Sequence, residues 1–309
     1  MNICLVTSAV LPVKKYGGTE RIVQWLAEEF INLGHKVTLL GPKGSALPKV
    51  NFIPTTEENA ISSIPEDTDI VHFHGWPPEN ECHFPWIYTL HGNHQELETL
   101  PSNTICISRN HAERHKRKIW VYNGISEKEF TFSQQKDDFL LFFSKIRRRV
   151  KGAQRALNLA LMVNKKILFA GGYRFDFIKV GGFFKTFSPL VSVAGEIGGA
   201  QKANYFSRAQ ALILPIDWEE PFGLVVIEAL MSGTPVVATR RGSLPELLNS
   251  KVGAFFESDD EFEDALNHAL KCSPEDCRKW AIENFSSKVC AKNHIELYKK
   301  VISGKVVFT

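Results

Sequence analysis

Residues 219–238, EEPFGLVVIEALMSGTPVVA, hold a loop, a helix and a strand in twenty positions. Between Leu224 and Met231 every residue but Glu228 is apolar, which suits a helix buried on most sides. Gly233-Thr234-Pro235 ends that helix, and Val236-Val237-Ala238 reads as a short buried strand. The apolar run 211–216, ALILPI, is a second strand just upstream. A strand, a buried helix and another strand, all apolar, make the unit of a parallel sheet covered on both faces. Two carboxylates break the apolar character. With the helix opening near Gly223, Glu220 lies in the loop before it and Glu228 faces inward about two turns later. The N–H groups of Phe222, Gly223 and Leu224 then stand as donors at a helix N-terminus. Carboxylate acceptors and backbone donors together suit a sugar. Alternatively, Glu220 complements the helix dipole and Glu228 is a partnered core acid.

The same alternation extends in both directions. Strand candidates 139–144, 166–172, 190–195, 234–239 and 253–256 fill the second half, with helical segments between most of them. The first half repeats the pattern at 2–7, 36–41, 69–75, 86–92, 104–108 and 119–124. A helix opens near Thr19, with Ile22, Leu26, Phe30 and Leu33 at helical spacing and Gly34 as its C-terminal cap. The polar stretch 129–139, EFTFSQQKDDF, reads as a linker. The expected organisation is α/β: two Rossmann-like, doubly wound domains, 1–133 and 134–286, facing a central cleft. A C-terminal helix and tail, 287–309, carries Ala291, Ile295, Tyr298 and Ile302 on one stripe and is expected to pack back on the first domain. Ligands belong at the carboxyl ends of the strands. A length of 309 residues accommodates two such cores.

Composition narrows the function classes. No apolar run reaches the ~18 residues of a membrane span, and the N-terminus lacks a basic leader ahead of its apolar run. The six cysteines show neither CxxC nor zinc spacing, so they read as reduced thiols of a cytoplasmic protein. The net charge of +3 divides into −3 over residues 1–133 and +6 over 134–309. That suits a small polyanion such as a nucleotide diphosphate and is too weak for nucleic acid.

Three further features bear on chemistry. Lys145 and Lys151 flank the loop 144–152, SKIRRRVKG, between a strand and a helix, where two cations and a helix N-terminus can hold a diphosphate; a solvated basic loop is the alternative. Gly17-Gly18 sits where the first strand meets the first helix, and either admits an anion close to the backbone or makes a tight turn. His72 and His74 point the same way along one strand, and His91 and His94 share a loop. With no acidic or thiol complement at ligand spacing, no metal is expected. The basic segment 109–118 reads as a solvated helix face, with a weak peripheral contact to anionic lipid as the alternative.

The 219–238 block resembles the E-x7-E segment of the retaining GT-B glycosyltransferases of family 4. Other stretches agree in order: YGGTERIV (16–23), LHG (90–92), ISRN (107–110), VYNGISEKEF (121–130), Lys151-Gly152 and GSLPELL (242–248). The resemblance implies a GT-B fold and transfer of a hexosyl group, with retention, from a nucleotide sugar to an acceptor hydroxyl, without a metal or other cofactor. A UDP-sugar is the favoured donor, and glycan, lipopolysaccharide or glycolipid synthesis is the setting. It implies that Glu228 holds the donor ribose, and that Glu220 with the Phe222-Gly223-Leu224 backbone holds the donor sugar. Lys151 meets the diphosphate, Gly17 and Gly18 let the first loop close over the donor, and His91 sits near the reacting sugar. The family usually has Gly-Arg where this chain has Ser144-Lys145; lysine keeps the charge and loses the bidentate fork. Two other readings share the architecture: a silent nucleotide-sugar-binding partner subunit and a sugar-nucleotide epimerase.

Overall fold

The computed structural model describes residues 1–309 apart from 14–16, 79–81, 307 and 309. Tyr16, which opens the YGGTERIV stretch, lies outside the described residues. In chain order the first part holds β1 (Asn2–Val6), α1 (Gly18–Asn32), β2 (Lys36–Gly41), β3 (Asn51–Pro54), β4 (Ile70–Phe73), β5 (Trp86–Thr89), β6 (Thr104–Ile105) and α2 (Arg109–Arg114). The next part runs β7 (Leu140–Phe143), α3 (Ala153–Met162), β8 (Ile167–Ala170), α4 (Asp176–Val180), β9 (Val191–Val193), α5 (Gly199–Arg208), β10 (Ala211–Leu214) and α6 (Leu224–Met231). It continues through β11 (Val236–Ala238), α7 (Leu244–Leu247), β12 (Gly253–Phe255), α8 (Phe262–Ala269) and α9 (Pro274–Phe285), before the final α10 (Ser287–Ile302).

Two compact units result: Met1–Ser126 together with Phe285–Thr309, and Glu127–Asn284. Each is built on a six-stranded sheet, ordered β3-β2-β1-β4-β5-β6 and β12-β11-β10-β7-β8-β9. All pairings are parallel. The two orders are the same permutation, so strand order reverses once per sheet: between β1 and β4, and between β10 and β7. Loops at the carboxyl ends beside such a reversal form the ligand crevice of doubly wound sheets.

The helices form where their apolar stripes demand. α1 buries Ile22, Val23, Trp25, Leu26 and Phe30. Gly34, at φ +84, closes its end, with its N–H on Ile31 O (2.9 Å) and that of His35 on Phe30 O (2.9 Å). α10 belongs to the first unit: Tyr298 meets Phe30 at 5.6 Å between ring centroids, and Ser287 Oγ donates to Glu29 Oε1 (2.9 Å). In the second unit Phe169 packs at a tilt against Phe142 (5.3 Å between ring centroids) and edge-on against Phe177 (5.0 Å). Truncating one such buried ring costs about 3–5 kcal/mol. No helix among the described residues is long and apolar enough to cross a membrane.

Three local expectations change. β3, NFIP, is a half-exposed edge strand with no clear alternation, and the sequence pattern misses it. Residues 119–124 are not a strand; they make a single parallel bridge, Trp120 to Cys106. The stretch 129–139 is no free linker, and the second unit begins at Glu127 instead of 134. Lys136 is drawn inward, donating to Ser207 O (2.8 Å), Thr234 Oγ1 (2.9 Å) and Ser232 O (3.4 Å) at the ends of α5 and α6. It supplies charge to helix-terminal carbonyls that need a donor.

Candidate active site

At the reversal point of the second sheet, the loops after β7 and β10 are joined by backbone. Asp217 N–H donates to Val150 O (2.9 Å), and Gly152, at φ +77, comes so close to Pro215 that a Cβ would lie 2.1 Å from its carbonyl oxygen. This fixes Lys151 over the β10 loop. Its Nζ lies 2.6 Å from Glu220 Oε2, with both side chains largely buried, and 4.2 Å from the centroid of the Trp218 ring. Trp218 Nε1 donates to the same carboxylate oxygen (3.0 Å). The loop after β11 braces the arrangement from the other side. Gly242 N–H donates to Glu219 Oε2 (2.8 Å), Ser243 N–H to Glu220 O (2.9 Å), and Ser243 Oγ to Phe222 O (2.7 Å).

Gly223 follows in the left-handed region, at φ +86, as the N-cap of α6, and Leu224 is the first helical residue. A β-carbon there is strained, which explains glycine between Phe222 and the helix. One turn further on, Glu228 is buried at 7% exposure, with Oε1 2.5 Å from Lys202 Nζ on α5. Among the described residues Glu228 Oε2 and Glu220 Oε1 take no hydrogen bond, so each acid keeps one acceptor oxygen beyond its lysine. Lys145 is exposed in the β7 loop, its carbonyl accepting Arg148 N–H (3.1 Å). The elements thus bring together Lys151, Glu220 and the α6 N-terminus, with Glu228 one to two turns along the same helix.

In the first unit a histidine cluster occupies the carboxyl ends of β4 and β5. The rings of His72 and His74 lie 3.9 Å apart, tilted by 36°, as two residues on one face of a strand. His72 bridges Tyr298 Oη and Thr89 Oγ1, each at 2.6 Å. His74 Nδ1 lies 2.9 Å from His91 Nε2. Burial holds all these rings neutral: His72 and His74 lie well below the ordinary histidine range, with neighbouring histidines adding to the effect. His91 is lowered to about 3 by burial and then by His294, and His294 to about 4 by burial. α2 clamps the loop that carries His91. His111 Nε2–H donates to Gly92 O (3.0 Å), Arg114 Nη1 to Asn93 Oδ1 (3.0 Å), and His94 N–H to His115 Nε2 (3.0 Å). The basic segment 109–118 is therefore more than a solvated face. Gly17 is the N-cap of α1 in extended backbone, and Gly18 is its first residue.

Cys106, His111 and His115 bring their ligand atoms within 4.8 Å of one another, a thiol and two imidazoles not apparent from spacing. Hydrogen bonds already use every ring nitrogen. Ile107 N–H donates to His111 Nδ1 (3.4 Å), and His115 Nδ1–H to His111 O (2.7 Å). Burial raises the Cys106 thiol to about 12. Through these hydrogen bonds the two histidines clamp the loop that carries His91. Sequence reasoning also missed Lys202 and Trp218, the direct partners of the two acids. Trp218 stands one residue from the quoted block, while nothing in the spacing marks Lys202.

The family model described as Glycosyl transferases group 1 matches residues 125–285. An uncharacterised 42.6 kDa protein of the Klebsiella pneumoniae cps region is 23% identical, over 97% of this chain and 100% of its own length. Among solved structures, AviGT4, a glycosyltransferase involved in avilamycin A biosynthesis, superposes with a TM-score of 0.83 at 22% identity, covering 98% of each chain. HepE of Anabaena, in complex with UDP-glucose, gives 0.69 at 14% identity, over 97% of this chain and 100% of its own. These likenesses establish the GT-B fold. With more than half of its length matched by the family model, the chain belongs to the glycosyl transferases group 1 family.

Proposed function

We propose that the chain is a retaining, family 4 hexosyltransferase that uses a nucleotide sugar, with a UDP-sugar preferred. The observation that carries this reading is the Lys151–Glu220 contact at the sheet's reversal point, beside the N-terminus of α6. A lysine from one loop, and an acid and a helix N-terminus from the loop braced against it, match a diphosphate joined to a sugar. Glu228, one oxygen of which is taken by Lys202, accepts from the ribose hydroxyls on the other. HepE, which shares the fold, has been captured with UDP-glucose, and that supports uridine.

In the proposed reaction the bond between the anomeric carbon and the β-phosphate oxygen breaks, and the electron pair leaves with the phosphate. The acceptor oxygen bonds to the anomeric carbon on the same face, and its proton passes to the departing phosphate. Charge builds on the diphosphate as the bond breaks. Lys151, Lys145 and the α6 N-terminus meet that charge without a metal, which lowers the barrier. His91 donates to a hydroxyl of the transferred sugar. The six cysteines are free thiols, in keeping with a cytoplasmic setting.

Incubation with UDP-glucose and EDTA, with chromatography for UDP, tests the reading. Slow release of UDP with water as acceptor, undiminished by the chelator, is expected. Loss of turnover on chelation and recovery with Mg²⁺ would give the charge-neutralising role to a metal. Formation of an epimer in place of a free sugar would assign the architecture to epimerisation. A chain that binds UDP-glucose without ever releasing UDP would be the silent partner subunit.

A further inference from the structure

The positive charge of the second unit is concentrated in one segment. Residues 144–188 contain eleven Lys and Arg and a single acid, Asp176, whose carboxylate accepts Tyr173 N–H (2.8 Å). Lys151 and Lys145 belong to the proposed donor site, and Arg155, Lys165 and Lys166 pair with acids elsewhere. Lys179, Lys185 and Arg147 are exposed cations that the donor site does not use.

Set among them is a cluster of exposed apolar side chains on α4 and the turn after it. Phe175 is 73% exposed and Phe184 87%, with Ile178 and Phe187 also exposed. Half-buried Phe183 makes the cluster contiguous, lying 5.8, 5.6 and 5.4 Å from the rings of Phe175, Phe184 and Phe187. The cluster is braced. Arg174 lies over Phe187 at 5.0 Å, Lys185 Nζ donates to Asn158 Oδ1 (2.7 Å), and Arg149 Nη2 donates to Lys179 O (2.9 Å).

Scattered apolar residues on a surface need no explanation, but a contiguous cluster with several rings in water does. We infer that this surface docks on an anionic lipid bilayer. Phe175, Ile178, Phe184 and Phe187 enter the headgroup boundary while Lys179, Lys185 and Arg147 meet acidic headgroups. Apolar side chains flanked by cations are the pattern that binds such surfaces, each part adding to the other. Stacking platforms for single-stranded nucleic acid present ring faces to successive bases. Here Phe184 and Phe187 stand at 70° and 89° to Phe183, as a wedge. The inference is independent of the donor assignment, since none of the inserted side chains belongs to that site.

Flotation of the purified chain with vesicles of phosphatidylcholine alone, or mixed with phosphatidylglycerol, tests it. The chain floats with the anionic vesicles, and high salt weakens the binding. Phe184→Ser with Phe187→Ser, and separately Lys179→Glu with Lys185→Glu, each lower the partition coefficient by about tenfold or more. Circular dichroism and UDP release in water stay unchanged, because these side chains are exposed. Absence of flotation, or flotation that both double variants retain, would overturn the inference. So would a concentration-dependent dimer lost on Phe184→Ser, or tight binding of a single-stranded oligonucleotide lost in the same variants.

Discussion

The buried Nε2 of His74 has no partner among the described residues. A proton there would leave a buried donor unpaired, which costs more than an unpaired lone pair. His74 therefore carries its proton on Nδ1 and donates to His91 Nε2, so His91 presents Nδ1–H. His91→Ala should lower kcat more than it weakens nucleotide binding measured by calorimetry. His74→Ala should reproduce most of that loss without adding to it in the double variant, because the two residues act as one unit. Additive losses would show that His74 works only by packing. The histidine face was legible from alternation along the strand, and His91 from a family motif. Lys202 was not: its contact with Glu228 spans two helices, and side-chain pairing at that distance leaves no periodic trace.

Each loop of the candidate site is held by a glycine that permits a close approach. Gly152→Ala forces a Cβ against Pro215 O at a left-handed φ, so it should cost several kcal/mol of stability or displace Lys151 and raise the donor KM. Gly34 also has positive φ, but its Cβ would meet nothing within 4 Å. Gly34→Ala should cost about 1 kcal/mol and leave donor KM unchanged. Chemical denaturation and donor kinetics on the two variants separate local strain from site geometry; equal effects on KM would contradict the bracing role of Gly152. The strands of the second sheet were legible because they are continuous apolar runs. β3 was hidden because an edge strand needs no such run. The inward turn of Lys136 was hidden because a lysine in a polar stretch carries no sign that helix ends await it.

Across the whole molecule, the buried histidines of the first unit couple stability to pH. The first unit holds His72, His74 and His294 neutral by burial, along with His111, which is lowered to about 3. Unfolded, these rings take up protons below pH ~6.5, while in the folded chain His294 does so only near pH 4 and His111 near pH 3, and His72 and His74 are likewise held well below their ordinary range. Stability therefore rises with pH across that window and is lost on acidification, by about 2 kcal/mol each for His294 and His111 between pH 7 and pH 5. Thermal melts should show a transition that falls steeply from pH 7 to pH 5; a transition insensitive to pH would mean the rings are charged or accessible. The alternation of strand and helix made the two-unit α/β organisation legible. The sharing of α10 with the first unit depends on long-range packing against α1. The central claim is that the second unit's braced loops hold a nucleotide sugar through Glu228 and Lys151. Titration calorimetry of UDP-glucose into the native chain and Glu228→Ala, with a melt of each as a fold control, tests it most directly. The account predicts binding to the native chain and a loss of about 1–3 kcal/mol in the folded variant, as a ribose hydroxyl pair loses its acceptor. Equal affinity in the two proteins would contradict it.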